Sequence, residues 1–418
     1  MCGIVGYIGE KNATEIILNG LKKLEYRGYD SAGIAVLQNG GIALRRDVGK
    51  LYRLAGLLQN DPIAGQVGVG HTRWATHGVP SERNAHPHLG ATGKVVVVHN
   101  GIVENFIELK EMLLAEGAEF KSDTDTETIV LLVEKHLAEG MSLLEAAKAT
   151  LRMLRGAHGI VIFSSDEPDK MITARIGNAG GVVLGLGEDE LFIASDIPAI
   201  LEHTRRMVFL ETHQMAVVTR EGIEVMTLEG EKLDYKISSV AWDPVSAEKG
   251  EYRHFMQKEI HEQVRSLTDT LAGRADFEHS EIRLNELNLT KESVNKINKI
   301  FITACGTAAH AGMVGKFLIE SLAKIPVEVE IASEFRYRDP LIGENDVVLA
   351  ISQSGETADT LAAMALGREK GATLWSIVNA VGSQAMRVAD GSISMQTGPE
   401  IGVASTKAFT APLVDLYM

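Results

Sequence analysis

The pattern of apolar runs changes character once along this chain, and that change limits the folds open to it. Up to about residue 240, short runs rich in β-branched residues come in groups, at 3–8, 33–37, 67–71, 95–99, 159–163, 191–194 and 215–219. Helical periodicity falls between the groups, over 13–24, 106–116, 126–137 and 143–154. Grouped strands and grouped helices predict antiparallel sheets with helical layers, not a βαβ alternation. From Lys299 onward strand and helix alternate, with strands at 300–304, 327–331, 346–351 and 373–378. Such alternation predicts a doubly wound parallel α/β domain. The text between, from about Trp242 to Leu289, is charged and helix-like. The expected organisation is therefore a first domain over 1–240, a helical connector over 241–290 and a second domain over 291–418. A chain of 418 residues is longer than one hydrophobic core usually supports, which agrees with this division.

Charge removes some functions. A formal net charge of −15 offers no basic surface to a nucleic acid or an anionic membrane. No apolar run has the length needed to span a bilayer. Residues 1–6 lack the basic flank and long apolar core of a signal peptide. The two cysteines, Cys2 and Cys305, are far apart, whereas a disulfide framework uses more, so a reducing, cytoplasmic setting is expected.

Cys2 is the most informative single residue. Loss of Met1 would leave a thiol beside a free α-amine whose reference pKa is roughly 7.7–8.0. One residue then supplies both nucleophile and base. The segment 71–78 follows a strand, and its Arg73 can grip a carboxylate through a forked pair of charged hydrogen bonds. The strand at 95–99 runs into Asn100 and Gly101, an amide and an unobstructed N–H of the kind an oxyanion hole needs. Segment 123–127 adds carboxylates able to bind an ammonium. Arginine for an α-carboxylate, aspartate for an α-amine and cysteine for an amide carbon together describe glutamine. Blander readings stand beside these. Asp123 or Thr124 could cap the following helix, Asn100-Gly101 could be a turn, and Trp74 could be core. His71, His77, His86, His88 and His99 match no compact zinc spacing.

Residues 2–6, 24–33, 71–78, 99–101 and 124–127 together resemble the class II glutamine amidotransferases of the N-terminal-nucleophile hydrolase type. That resemblance implies an αββα sandwich, with Cys2 as nucleophile and Asn100 and Gly101 stabilising the oxyanion. It places Arg73 and Asp125 on the glutamine α-groups, with Trp74, Thr76 and His77 on a closing loop that contacts glutamine. Arg27 and Gly28 are expected near the nucleophile.

In the second domain, 351–357 (Ile-Ser-Gln-Ser-Gly-Glu-Thr) lies between a strand and a helix, where hydroxyls and backbone N–H groups form an anion site suited to phosphate. No lysine-bearing phosphate loop and no Gly-x-Gly-x-x-Gly follows a strand, which disfavours nucleotides. Residues 304–307 form a second strand-to-helix turn, in which Cys305 on its own reads as a buried small residue. Residues 402–407 open a last helix, with Ser405 a candidate cap. These three turns resemble the sugar isomerase domain. By that resemblance Ser352, Gln353, Ser354 and Thr357 bind a sugar phosphate, while Cys305, Gly306, Thr307, Val403, Ala404 and Ser405 line the sugar. Ala308 departs from the family, which often has serine there.

The ordered pair of domains is similar to the amidotransferases that aminate fructose 6-phosphate to glucosamine 6-phosphate. The implied partners are L-glutamine and fructose 6-phosphate, with no cofactor and no metal. Ammonia would pass between domains without entering bulk water, where protonation would remove its nucleophilicity. Family members also carry a second isomerase domain and a tail, absent from these 418 residues, that hold the isomerization base and a ring-opening lysine. This chain by itself is accordingly expected to act as a glutaminase, with homodimerization expected of a full-length chain. The interrupted α/β layer is expected to leave Leu413 and Leu416 exposed. Two alternatives stay open: another class II amidotransferase, or a sugar-phosphate-binding regulatory module.

Overall fold

A computed structural model describes residues 2–177, 181–240 and 251–418. Met1 and the first ten residues of the expected connector lie outside the described residues. The chain divides into two compact units, Met1–Ala241 and Trp242–Met418.

The first unit is an αββα sandwich. Its 8-stranded antiparallel sheet runs Ser238–Ser239, Arg206–Phe209, Val183–Leu186, Leu191–Ala194, Gly3–Ile8, Val67–Arg73, Ser31–Gln38, Gly41–Val48. The facing 6-stranded sheet runs Ile223–Thr227, Gln214–Thr219, Glu167–Ile176, His158–Ser164, Val95–Gly101, His88–Leu89. Side-chain alternation sorts each strand between two cores. Val96 and Val98 join Ile4, Ile8, Val67 and Val69 between the sheets. Val95 and Val97 point the other way, against helices Phe106–Ala115, Thr126–Ala138 and Leu143–Met153. Helices Ala13–Leu24 and Leu51–Asn60 cover the outer face of the larger sheet.

Several strands had no clear sequence signal. Gly41–Val48 is half-buried along its whole length and carries Arg45, Arg46 and Asp47, so an edge strand reads as a polar loop. Gly391–Ser394 in the second unit is short and also lies at a sheet edge.

The second unit holds a 5-stranded parallel sheet in the order Val327–Ile331, Lys299–Ala304, Asp346–Ser352, Thr373–Val378, Gly391–Ser394. Helices pack on both faces. Ile300, Ile302, Val347 and Leu349 meet Ala309, Ala411 and Leu416 on one side, while Phe301, Val348 and Ala350 meet Phe335, Leu361 and Met364 on the other. Consecutive residues of one strand thus enter opposite cores, which is why parallel strands read as continuous apolar runs.

One expectation changes here. Leu416 is buried, not exposed: it seats on helix Thr307–Leu322 at Gly315, where an added Cβ would come within 2.7 Å of it. The connecting segment also packs into this unit. Its helix Phe255–Leu271 lies along the last helix, Lys407–Tyr417, through Thr410 Oγ1 donating to Gln263 (3.1 Å) and the buried Lys407 pairing with Glu262 (2.7 Å).

Candidate active site

Alternation also decides which polar side chains meet in the first unit. His71 and Arg73 continue the parity of Val67 and Val69, Asn100 that of Val96 and Val98, and Cys2 that of Ile4 and Ile8. All four therefore project into the space between the sheets at its polar end. The Asn100 amide nitrogen donates to the Cys2 carbonyl at 3.1 Å. Arg27 Nε donates to the same carbonyl at 3.2 Å, and its Nη1 pairs with Asp196 at 2.6 Å. The Trp74 N–H donates to the Cys2 sulfur at 3.2 Å. Burial pushes the Cys2 thiol up, while the Trp74 N–H and the charges of the chain's terminal amine, Arg73 and Arg27 pull it back.

Arg73 is 4% exposed. Its Nη2 donates to the carbonyls of His77 and Gly78, whereas its Nη1 is buried with no partner. Burial lowers its affinity for a proton, against the carboxylates of Asp125 and Asp30 and against Cys2. Gly28 packs directly on this strand: a Cβ there would come within 2.7 Å of the Arg73 carbonyl carbon. Gly101 has φ +140°, and a Cβ on it would lie 2.1 Å from the Ala157 carbonyl oxygen, so this position requires glycine.

Asp125 is buried and accepts from the Val103 N–H at 2.8 Å. Neither Asp123 nor Thr124 caps the helix that follows. Asp123 is bound to Arg83 and Asn84, and Thr124 meets His88 Nε2 at 2.9 Å. Trp74 is 44% exposed and rests edge-on against Tyr29, so it is not core. Thr76 is exposed beside His77, and Asp30 holds the base of this loop by accepting from the Ala75 N–H at 2.6 Å.

Behind the site lies a buried histidine cluster that the sequence reading saw only in part, since His158 went unnoticed. His71 contacts Asn100 and His86, while His99 bridges Thr126 (2.9 Å) and His158 (3.0 Å). Burial lowers His71, His99 and His158 to about 3, and drives His86 and His88 well down, so all five rings are neutral. Among the described residues no group of three or more His, Cys, Asp or Glu is placed to hold a metal ion.

In the second unit, the strands Lys299–Ala304 and Asp346–Ser352 are parallel neighbours from which the chain turns opposite ways. Their carboxyl ends form a topological switch point, the usual ligand crevice of such sheets. The turns 305–307 and 352–357 leave those two ends. Gly306 has φ +59° and Gly355 φ +62°. Ser352 Oγ accepts from the Gly355 N–H at 3.0 Å and lies 3.3 Å from Thr357 Oγ1. Helices Thr307–Leu322 and Ala358–Glu369 begin here with no side-chain cap on their N-terminal donors. Cys305 is half-buried, with Thr360 Oγ1 3.9 Å from its sulfur. Val403 and Ala404 are exposed on a loop held by two buried carboxylates. Glu259 accepts from the N–H groups of Ile401 and Gly402, and Glu400 from Ser405 Oγ and the Thr406 and Ala408 N–H groups. Ser405 is therefore bound to Glu400 and does not cap the last helix, which starts at Lys407.

Known proteins show which family the two units belong to. A glutamine amidotransferase domain model matches residues 58–229 and an SIS domain model residues 293–418. The glutamine–fructose-6-phosphate aminotransferase (isomerizing) of Caldanaerobacter subterraneus subsp. tengcongensis is 50% identical over 418 residues, covering 100% of this chain and 68% of that protein. The chain belongs to this aminotransferase family. The enzyme of the same name from Clostridium acetobutylicum is 49% identical with the same coverage. In fold, the chain is similar to an allosteric regulatory enzyme of purine biosynthesis, at 19% identity and a TM-score of 0.51, covering 90% of this chain and 80% of that one. Within this family member, no helix among the described residues is long and apolar enough to cross a membrane. No role was assigned from sequence to Asp30, Asp196, Glu259 or Glu400. Asp30, Asp196 and Glu259 bind groups 45, 169 and 142 positions away, which no local spacing announces, whereas Glu400 binds groups only 5 to 8 positions along.

Proposed function

We propose that this protein transfers the amide nitrogen of L-glutamine to C2 of fructose 6-phosphate, giving glutamate and glucosamine 6-phosphate. The observation that carries this reading is Arg73, whose buried Nη1 has no protein partner and shares one face with Cys2 and Asn100. A buried guanidinium with spare donors is suited to a substrate carboxylate. Its position beside a terminal thiol suits an amino acid whose side-chain amide is the reacting group.

Residues 1–240 form the glutaminase, 241–290 the connector and 291–418 a sugar isomerase domain. With Met1 removed, the Cys2 α-amine takes the thiol proton and the thiolate adds to the δ-amide carbon. Asn100 commits one amide hydrogen to the Cys2 carbonyl and has the other for the oxyanion, joined by the Gly101 N–H. The C–N bond then breaks, the proton leaves with the nitrogen as ammonia, and a glutamyl thioester remains. Water adds to the thioester, releasing glutamate and restoring the thiol. Arg73 holds the α-carboxylate and Asp125 the α-ammonium. Trp74, Thr76 and His77 close over the amino acid, while Arg27 and Gly28 support the nucleophile. In the second unit, Ser352, Gln353, Ser354 and Thr357 hold the phosphate, and residues 305–307 and 403–405 line the sugar. The setting is the cytoplasm, and the assembled enzyme is a homodimer.

The test uses glutamine labelled with ¹⁵N in its amide, together with fructose 6-phosphate. Label in glucosamine 6-phosphate supports the whole reading. Label found only as ammonia leaves the glutaminase half alone, and no release of glutamate refutes both halves.

A further inference from the structure

We infer that His71 is a positioning residue for glutamine hydrolysis: its Nε2–H fixes the Asn100 amide with its oxygen turned away from Cys2 and its nitrogen turned toward it. The inference rests on the assignment of Asn100 as oxyanion donor. His71 Nε2 lies 3.1 Å from Asn100 Oδ1 and 3.2 Å from the His99 carbonyl oxygen. Both oxygens only accept, so Nε2 must carry the proton. At its other end the Asn100 amide faces the Cys2 carbonyl, also an acceptor, at 3.1 Å. Rotating the amide by half a turn would set oxygen against oxygen and NH₂ against N–H. Only one orientation is satisfied.

The His86 ring packs against His71 without choosing its tautomer: His86 Nδ1 lies 3.2 Å from both ring nitrogens of His71, so it sits against that ring and singles out neither nitrogen as acceptor. The rings stand edge-to-face with centroids 4.1 Å apart, and His71 is fully buried. Burial keeps the His71 ring neutral. Hydrogen bonds thus run from His71 to Asn100 and from Asn100 to Cys2, with the His86 ring packed against His71. An oxyanion donor is effective when it is oriented before charge develops, and here the orienting group is a neutral imidazole.

The experiment is a double-mutant cycle on glutamate release, with kcat and KM measured separately and folding checked by urea unfolding. Asn100→Ala lowers kcat on the order of 10²–10³-fold. His71→Leu is expected to lower kcat by about tenfold or more with little change in glutamine KM, and to cost nothing further in the Asn100→Ala background. His71→Gln, whose amide N–H can replace the imidazole donor, should recover most of the loss. If His71→Leu does not fold, His71→Asn, whose shorter amide stops short of Asn100, takes its place in the cycle. An equal loss in both backgrounds would overturn the inference, as would a raised KM at unchanged kcat. So would a folded His71→Gln as impaired as the leucine variant. If Asn100→Ala itself keeps kcat, the oxyanion assignment has failed and the inference falls with it.

Discussion

The backbone N–H of Trp74 points at the Cys2 sulfur from 3.2 Å, and the Trp74 carbonyl lies 3.6 Å from the same atom. The nucleophile is therefore held by the first residue after the arginine strand, at the start of the exposed segment that also carries Thr76 and His77. Loop position and thiol environment are coupled through the two peptide groups that flank the Trp74 Cα.

That environment keeps Cys2 protonated, because burial outweighs the N–H and the nearby charges. Its alkylation by iodoacetamide should rise with pH through and beyond the ordinary thiol value of roughly 8.5. Glutamine should protect it. A rate already flat between about pH 6 and pH 8 would contradict a raised thiol. Active protein should also lack Met1 by intact mass, since only then does Cys2 own the α-amine.

Arg73→Ala and Asn100→Ala should fail differently. Removing the Arg73 guanidinium takes away a charged hydrogen bond worth roughly 1.5–3 kcal/mol, so the glutamine KM rises by about 10–150-fold. Asn100→Ala should spare KM and lower kcat. Steady-state kinetics separate the two, and exchanged phenotypes would refute both roles.

The histidine cluster predicts acid sensitivity of the first unit. His71, His99 and His158 have folded values of about 3, below the unfolded value of roughly 6.5. The unfolded chain therefore binds protons first, and stability is fully present above about pH 6.5 and lost as pH falls toward 3. Each ring contributes up to about 1.4 kcal/mol per pH unit in that window. Urea midpoints should fall steeply between about pH 7 and pH 5, and replacing His158 by Gln should flatten the slope. A midpoint independent of pH in that range would count against neutral burial of the cluster.

Gly355→Ala should weaken fructose 6-phosphate binding. Gly355 has φ +62°, and a Cβ there would lie 2.0 Å from Ser383 Oγ, so the turn must shift. The left-handed backbone alone costs a non-glycine residue about 1–2 kcal/mol, which makes a loss of about tenfold or more the expected result by calorimetric titration. Unchanged affinity would remove residues 352–357 from the phosphate site.

The sequence by itself determined the elements and the chemistry they carry. The strands Gly3–Ile8, Leu191–Ala194, Val327–Ile331 and Thr373–Val378 and the helix Ala13–Leu24 fall where their apolar periods place them. Cys2, Arg73 and Asn100 stood out because a terminal thiol, a strand-end arginine and an Asn-Gly pair are local signals. Period-2 alternation even fixes which face each occupies. Tertiary structure alone decided how that chemistry is held. Arg27 meets Asp196 across 169 positions of sequence, and Glu259 reaches Ile401 across 142. Such contacts depend on which strands become neighbours and which helices lie against one another, and no local pattern encodes that. The same holds for the edge strand Gly41–Val48, whose polar residues are compatible with pairing only because Ser31–Gln38 offers it a partner. It holds most of all for the five histidines. In sequence they are titratable groups near neutrality, and only their joint burial makes them neutral parts of a support.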